Sequence, residues 1–142
     1  MAKELLVTRE LNREMIDAGE SLVAAIEAHE FDATAILWLY FEELDTWRIV
    51  VGSPLVDRFG PRKVYQQIQA ILGGMENNAN GLSLPDISEV GEKSSPIRAL
   101  RRQATQTGGI GEGRVRGSVD SDYIVDSYIY KVTPLSHRKK IA

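Results

Sequence analysis

The chain has 142 residues, of which 43% are hydrophobic and 26% charged, the balance of an ordinary globular protein of one domain. It contains no cysteine, which excludes disulfides, thiol nucleophiles and thiolate metal sites. The formal net charge of −3 hides an uneven split: residues 1–97 hold 8 Lys/Arg against 16 Asp/Glu, and residues 98–142 hold 9 against 4.

Taken in order, the N-terminus MAKELLVTRE mixes acids with apolar residues, unlike a secretory signal. Residues 5–7 read as a short edge strand or lead-in packing. Thr8 is expected to cap a helix, in which Leu11, Met15, Ala18, Leu22 and Ile26 recur at helical spacing as far as His29. Gly19 weakens such a helix by up to about 1 kcal/mol relative to alanine, so another backbone is expected to approach it closely.

Residues 33–53 form the predicted centre, a β-hairpin. Its first strand, 33–41, places Ala35, Leu37, Leu39 and Phe41 on one face and Ile36, Trp38 and Tyr40 on the other. Both faces are apolar, which predicts a strand covered on both sides. The acidic break 42–46 lacks an Asn-Gly or Asp-Gly pair, so a loop longer than two residues is expected. In the return strand, 47–51, Trp47, Ile49 and Val51 share one face and Arg48 and Val50 the other. Trp38, Tyr40 and Trp47 are expected to anchor the core.

Two prolines and a glycine in 53–61 predict a loop. A second helix then runs from Pro61 to about Leu72, with Val64, Ile68, Ile71 and Leu72 inward and Gly73-Gly74 as its stop. Residues 75–81 read as a polar loop tip. Residues 82–87 begin as an alternating strand, but Pro85 makes it an edge strand or one with a bulge. Ser95-Pro96 reads as a cap and first-turn proline of a third helix over 96–106, with Ile97, Leu100 and Ala104 inward. The glycine-rich stretch 108–113 follows, and a second hairpin closes the pattern, with strands 114–119 and 123–132 about a turn at 120–122. The expected fold is α+β: a mostly antiparallel sheet of about five strands, two hairpins plus an edge strand, with three helices packed on it. Residues 1–134 form the expected domain and 135–142 a basic, mobile tail.

Among candidate sites, Arg98, Arg101 and Arg102 stand at i, i+3 and i+4 of the third helix, so their guanidinium groups can cluster. Arg114 and Arg116 alternate onto one strand face. Together the five suit the phosphates of a nucleic acid, or ion pairs with the acidic half of the chain. Asp126 lies on a strand face with Tyr128 and Tyr130. A carboxylate there is expected either to pair with Arg116 or to work in a site. The glycines of 108–113 could cradle a phosphate, but a strand rather than a helix is expected to follow, and Glu112 would repel an anion; a hinge or linker is the reading. Pro85-Asp86 with Glu89, Glu92 and Lys93 matches the Pro-Asp…Asp/Glu-x-Lys nuclease pattern only in part, because Glu92 and Lys93 are adjacent. Asp120, Asp122 and Asp126 lack the closing Glu of a calcium loop. The two histidines, His29 and His137, fall at a helix end and in the tail. No metal or cofactor is expected.

The runs Leu37-Trp38-Leu39-Tyr40, Trp47-Arg48-Ile49-Val50 and Ser53-Pro54-Leu55-Val56-Asp57 with Gly60-Pro61-Arg62, and the closing Tyr-Ile-x-Asp-x-Tyr-Ile-Tyr segment from Tyr123 to Tyr130, resemble small bacterial α+β proteins of about this length. The resemblance implies a bacterial cytosolic domain and carries no activity. No apolar run approaches the ~20 residues of a membrane span, so a cytoplasmic protein without a membrane partner is expected. The leading expectation is a non-catalytic module that binds a protein partner or a second copy of itself. One alternative is nucleic acid held by the basic C-terminal third. Another is an enzyme whose site gathers Asp126, Arg116, Tyr128 and Glu112.

Overall fold

The computed structural model describes residues 7–75, 82, 84–120 and 122–135. Residues 5 and 6, the polar tip 76–81 and the basic run 136–142 lie outside them. The fold is α+β; among the described residues there are four helices, a mixed five-stranded sheet and a separate two-stranded sheet. Among the described residues, no helix is long and apolar enough to cross a membrane.

Helix α1 (Arg13–Ala28) starts later than the sequence suggests. Its cap is Asn12, whose Oδ1 accepts from the Met15 amide at 2.8 Å, while the Thr8 hydroxyl accepts from Asn12 Nδ2 at 3.0 Å and donates to the Glu10 carbonyl at 2.5 Å. Asparagine outcompetes the threonine because it stands at the turn where the apolar spacing begins. Met15, Ala18, Leu22 and Ile26 are buried.

Strands β1 (Ala35–Phe41) and β2 (Thr46–Gly52) form the predicted hairpin, with Phe41 opposite Thr46 across a four-residue loop. The face assignment holds. Ile36, Trp38, Trp47, Ile49 and Val51 pack with α1 and α3 in one core. Ala35, Leu37, Leu39 and Val50 pack with α4 in a second core on the other side of the sheet. Trp38 is fully buried, and its indole N–H donates to the Met15 carbonyl at 2.8 Å.

The stretch expected to be a loop after β2 holds a helix, α2 (Pro54–Phe59). Ser53 caps it by accepting from the Leu55 amide at 3.0 Å, and Pro54 suits the first turn. Helix α3 (Pro61–Met75) runs through Gly73 and Gly74 instead of stopping there. Met75, four residues beyond Ile71, reaches the same core and is buried, so packing extends the helix past its glycines.

Among the described residues, the chain next forms a 3₁₀ turn, Leu84–Asp86, and then β3 (Ile87–Val90). The strand therefore begins beyond Pro85, which cannot donate to a ladder. It occupies the sheet edge, as expected, but pairs parallel to β2, from Ile49 opposite Ile87 to Gly52 opposite Val90. This parallel pair makes the sheet mixed.

Helix α4 (Ile97–Thr107) has Pro96 at its N-cap position and no side-chain cap, because the Ser95 hydroxyl donates to Asp122 instead. The predicted second hairpin is broken in two. Strands β4 (Gly113–Arg114) and β7 (Ser127–Val132) join the main sheet, whose order is β3-β2-β1-β7-β4. Strands β5 (Gly117–Val119) and β6 (Asp122–Ile124) form a ribbon folded over the α4 side, where Val119 and Ile124 enter the second core. A positive φ of 97° at Gly117 allows the departure. Asp122 pairs with Val119, so it begins β6 and is not part of the turn.

Gly19 is approached by a side chain, not by a backbone. Tyr130 lies over it, and its hydroxyl donates to the Ile16 carbonyl at 2.7 Å. A Cβ at position 19 would overlap the Tyr130 ring and hydroxyl. Gly19→Ala is therefore expected to destabilise the protein by about 1–3 kcal/mol, despite the better helix propensity of alanine. Urea denaturation measures this. The same change in a Tyr130→Leu background is expected to cost less, since the shorter side chain vacates the contested space.

Candidate functional site

The chain leaves β2 and β3 toward opposite faces of the sheet. After β2 it enters α2 and α3, which pack on the Trp38 face. After β3 it enters α4, which packs on the Leu37 face. A crevice between two such divergent connections, beyond the carboxyl ends of neighbouring parallel strands, is where open α/β sheets place ligands. The same topology arises here in the mixed sheet, at the end where β2, β3 and β7 finish and β1 begins.

Short bonds fix this end. Ser53, fully buried, receives a hydrogen bond at its hydroxyl from Leu55 and donates to the Asp32 carbonyl at 2.6 Å. Its amide donates to the Val90 carbonyl at 3.0 Å, joining β2 to β3. Asp57 of α2 accepts from the Glu92 amide at 2.9 Å, and Gly91 has no Cβ to obstruct that carboxylate. Arg101, only 7% exposed, binds three elements at once. It contacts Glu92 at 2.6 Å, the Thr133 carbonyl at 2.9 Å and the Pro134 carbonyl at 3.2 Å.

Three adjoining hollows open along this end. The middle one, about 680 Å³, is lined by Asp32, Thr34, Glu92, Lys93, Arg98 and Arg101, among others. A second, about 350 Å³, lies on the α4 side and shares Lys93 and Arg98 with the first. There Arg102 pairs with Asp120 at 3.6 Å, and Asp122 takes the Ser95 hydroxyl. The third, about 440 Å³, lies on the α3 side and shares Asp32 with the first. Most of its surface is apolar, from Phe31, Leu55, Ala70 and Ile71, with His29, Glu30 and Gln67 also on its wall.

The sequence-predicted site residues are thus divided between the two ends of the sheet. Arg98, Arg101 and Arg102 belong to the crevice, but Arg101 turns inward while Arg98 and Arg102 share the outer hollow. Arg114, Arg116, Asp126 and Tyr128 lie at the far end, where β7 begins. Asp126 accepts from Arg114 Nε and Nη2 at 2.9 and 2.6 Å, from Arg116 Nε at 3.0 Å and from the Ser127 amide at 2.9 Å. Arg116 meets it across the break in the hairpin. Arg114 also lies 5.8 Å over the Trp47 ring, and Tyr128 donates to Glu112 at 2.9 Å. Partial burial first, then the bond to Glu112, pushes the Tyr128 phenol up. The crevice residues that sequence reading missed are Asp32, Thr34 and Lys93. Lys93 entered only as a misfit to the nuclease pattern, inside what read as a plain connection. The one available signal was its place between a strand and the helix start at Pro96.

Partial burial pushes the Asp126 carboxyl up, but hydrogen bonds from Arg114 and then Arg116 outweigh it and hold the group below its usual range. The stabilisation is therefore complete above the unfolded value of about 4 and is lost as pH falls through the folded value. Asp126→Asn is expected to lower stability by about 1 kcal/mol at pH 7, since both guanidinium groups face solvent and are screened. In denaturant titrations at successively lower pH, the gap to the parent protein should close in the acid range.

Among the described residues there is no cluster of three His, Asp or Glu placed to hold a metal. No protein-family model, curated protein or solved structure matches the chain.

Proposed function

We propose that the protein is a non-catalytic binding domain, cytoplasmic in setting, and that the crevice beyond β2, β3 and β7 takes its partner through an anionic group. One observation carries the reading. Lys93 and Arg98 line both polar hollows, and among the described residues neither side chain has an ion pair or hydrogen bond, whereas Arg101, Arg102, Arg114 and Arg116 each engage a carboxylate. Cations that line a concave surface without a direct partner raise the local potential for an incoming anion. Binding is favoured over catalysis by the kind of group present. Guanidinium and ammonium groups hold and orient charge, while nucleophilic catalysis needs a nucleophile and a base in contact. A nucleic-acid backbone is less well suited, because the five arginines do not lie along one stripe.

The test is a titration of isotopically labelled protein with inorganic phosphate, followed by amide chemical shifts. Shifts are expected at Lys93, Arg98 and their neighbours, and not at Arg114 or Arg116. They should vanish in the double variant Lys93→Glu, Arg98→Glu, which changes two exposed side chains and should fold normally. Shifts that are scattered, or that persist in the variant, reject the reading.

A further inference from the structure

We infer that the crevice takes a free α-amino acid with an apolar side chain. This deepens the proposed function and rests on the crevice being the ligand site. The starting point is Asp32. The residue stands where the apolar hollow meets the middle polar one, because it lines both. Its backbone is held there by the Ser53 hydroxyl, yet among the described residues its side chain has no hydrogen bond and no ion pair. Lys93 and Arg98 line the same middle hollow, also without partners. Opposite charges thus border one cavity without meeting, which leaves space between them for a group that carries both signs.

An α-amino acid supplies that group. Its carboxylate would lie against Lys93 and Arg98, and its ammonium against Asp32. Its side chain would then extend past Asp32 into the hollow walled by Phe31, Leu55, Ala70 and Ile71. That hollow, about 440 Å³, has the apolar character of a pocket for a branched aliphatic or aromatic group. A simple anion with an apolar tail fits less well, because its tail would pass the Asp32 carboxylate without neutralising it. A simple amine would leave the two cations unmatched.

The experiment titrates the full chain with L-leucine, L-phenylalanine, 4-methylpentanoate, which lacks the ammonium, and isopentylamine, which lacks the carboxylate. Amide shifts and calorimetry report the binding. Leucine or phenylalanine is expected to move Phe31, Asp32, Lys93 and Arg98 together. Either should bind about tenfold or more tightly than the two truncated compounds, the effect of one charge-assisted contact. Asp32→Asn should weaken leucine by about the same factor and leave 4-methylpentanoate unchanged. Equal affinity for leucine and 4-methylpentanoate overturns the amino-acid assignment while leaving an anion site in place. If no compound, and no inorganic phosphate, moves Lys93 or Arg98, the crevice reading falls as well.

Discussion

Arg101→Ala is expected to destabilise the protein by about 2–4 kcal/mol, because an enclosed guanidinium that holds a partly exposed carboxylate and two carbonyls is lost. The guanidinium is almost wholly enclosed, and it serves Glu92, Thr133 and Pro134 together. Its removal strands a carboxylate and two carbonyls and opens a void between α4 and the end of β7. Lysine restores the charge but not the planar fork, so Arg101→Lys should recover less than half of the loss. Replacing both Arg101 and Glu92 by methionine should cost far less than Arg101→Ala, since no charge is then left buried. Urea denaturation followed by tryptophan fluorescence suits the measurement, because Trp38 and Trp47 are both buried. A loss below about 1 kcal/mol for Arg101→Ala would place the guanidinium in solvent and contradict the described packing.

Trp38→Ala should cost a similar amount, about 3–5 kcal/mol, against a total of about 5–15 kcal/mol for a domain. The ring is central in β1, opposite Ile49 on one side and Tyr128 on the other. It seals the layer between the sheet and α1, and its indole N–H occupies the Met15 carbonyl. Trp38→Phe retains most of the apolar area and loses that bond, so about 1–2 kcal/mol is expected. If the alanine variant unfolds outright, the phenylalanine variant still reads the effect through its denaturation midpoint.

The elements legible in the sequence were those fixed by local periodicity. The alternation of residues 35–41 assigned each side chain to its core, because a strand has only two faces. The helical spacing from Met15 to Ile26 identified α1 for the same reason. What failed was decided by partners distant in the chain. Ser53-Pro54 and Ser95-Pro96 are the same dipeptide with different outcomes. Ser53 caps its helix, while the Ser95 hydroxyl is drawn to Asp122 on the ribbon. No window around either pair distinguishes them. Gly73-Gly74 reads as a stop until Met75 is seen to bury itself one turn later. The parallel pairing of β3 depends on how α2 and α3 cross the sheet, which spacing does not record. The crevice was hidden for that reason: Arg98 was visible as a charge, but only the divergence of the two connections brings it to one hollow with Asp32.

The position of β1 has a consequence for biosynthesis. One flank of this AILWLYF strand is covered early by β2, from the adjacent hairpin, while its other flank waits for residues 127–132. During translation an uncharged, aromatic-rich ribbon therefore keeps an open row of amides and carbonyls until residues 127–132 have left the ribosome. Such a row recruits foreign strands, so the nascent chain passes through an aggregation-prone interval that ends only when β7 arrives.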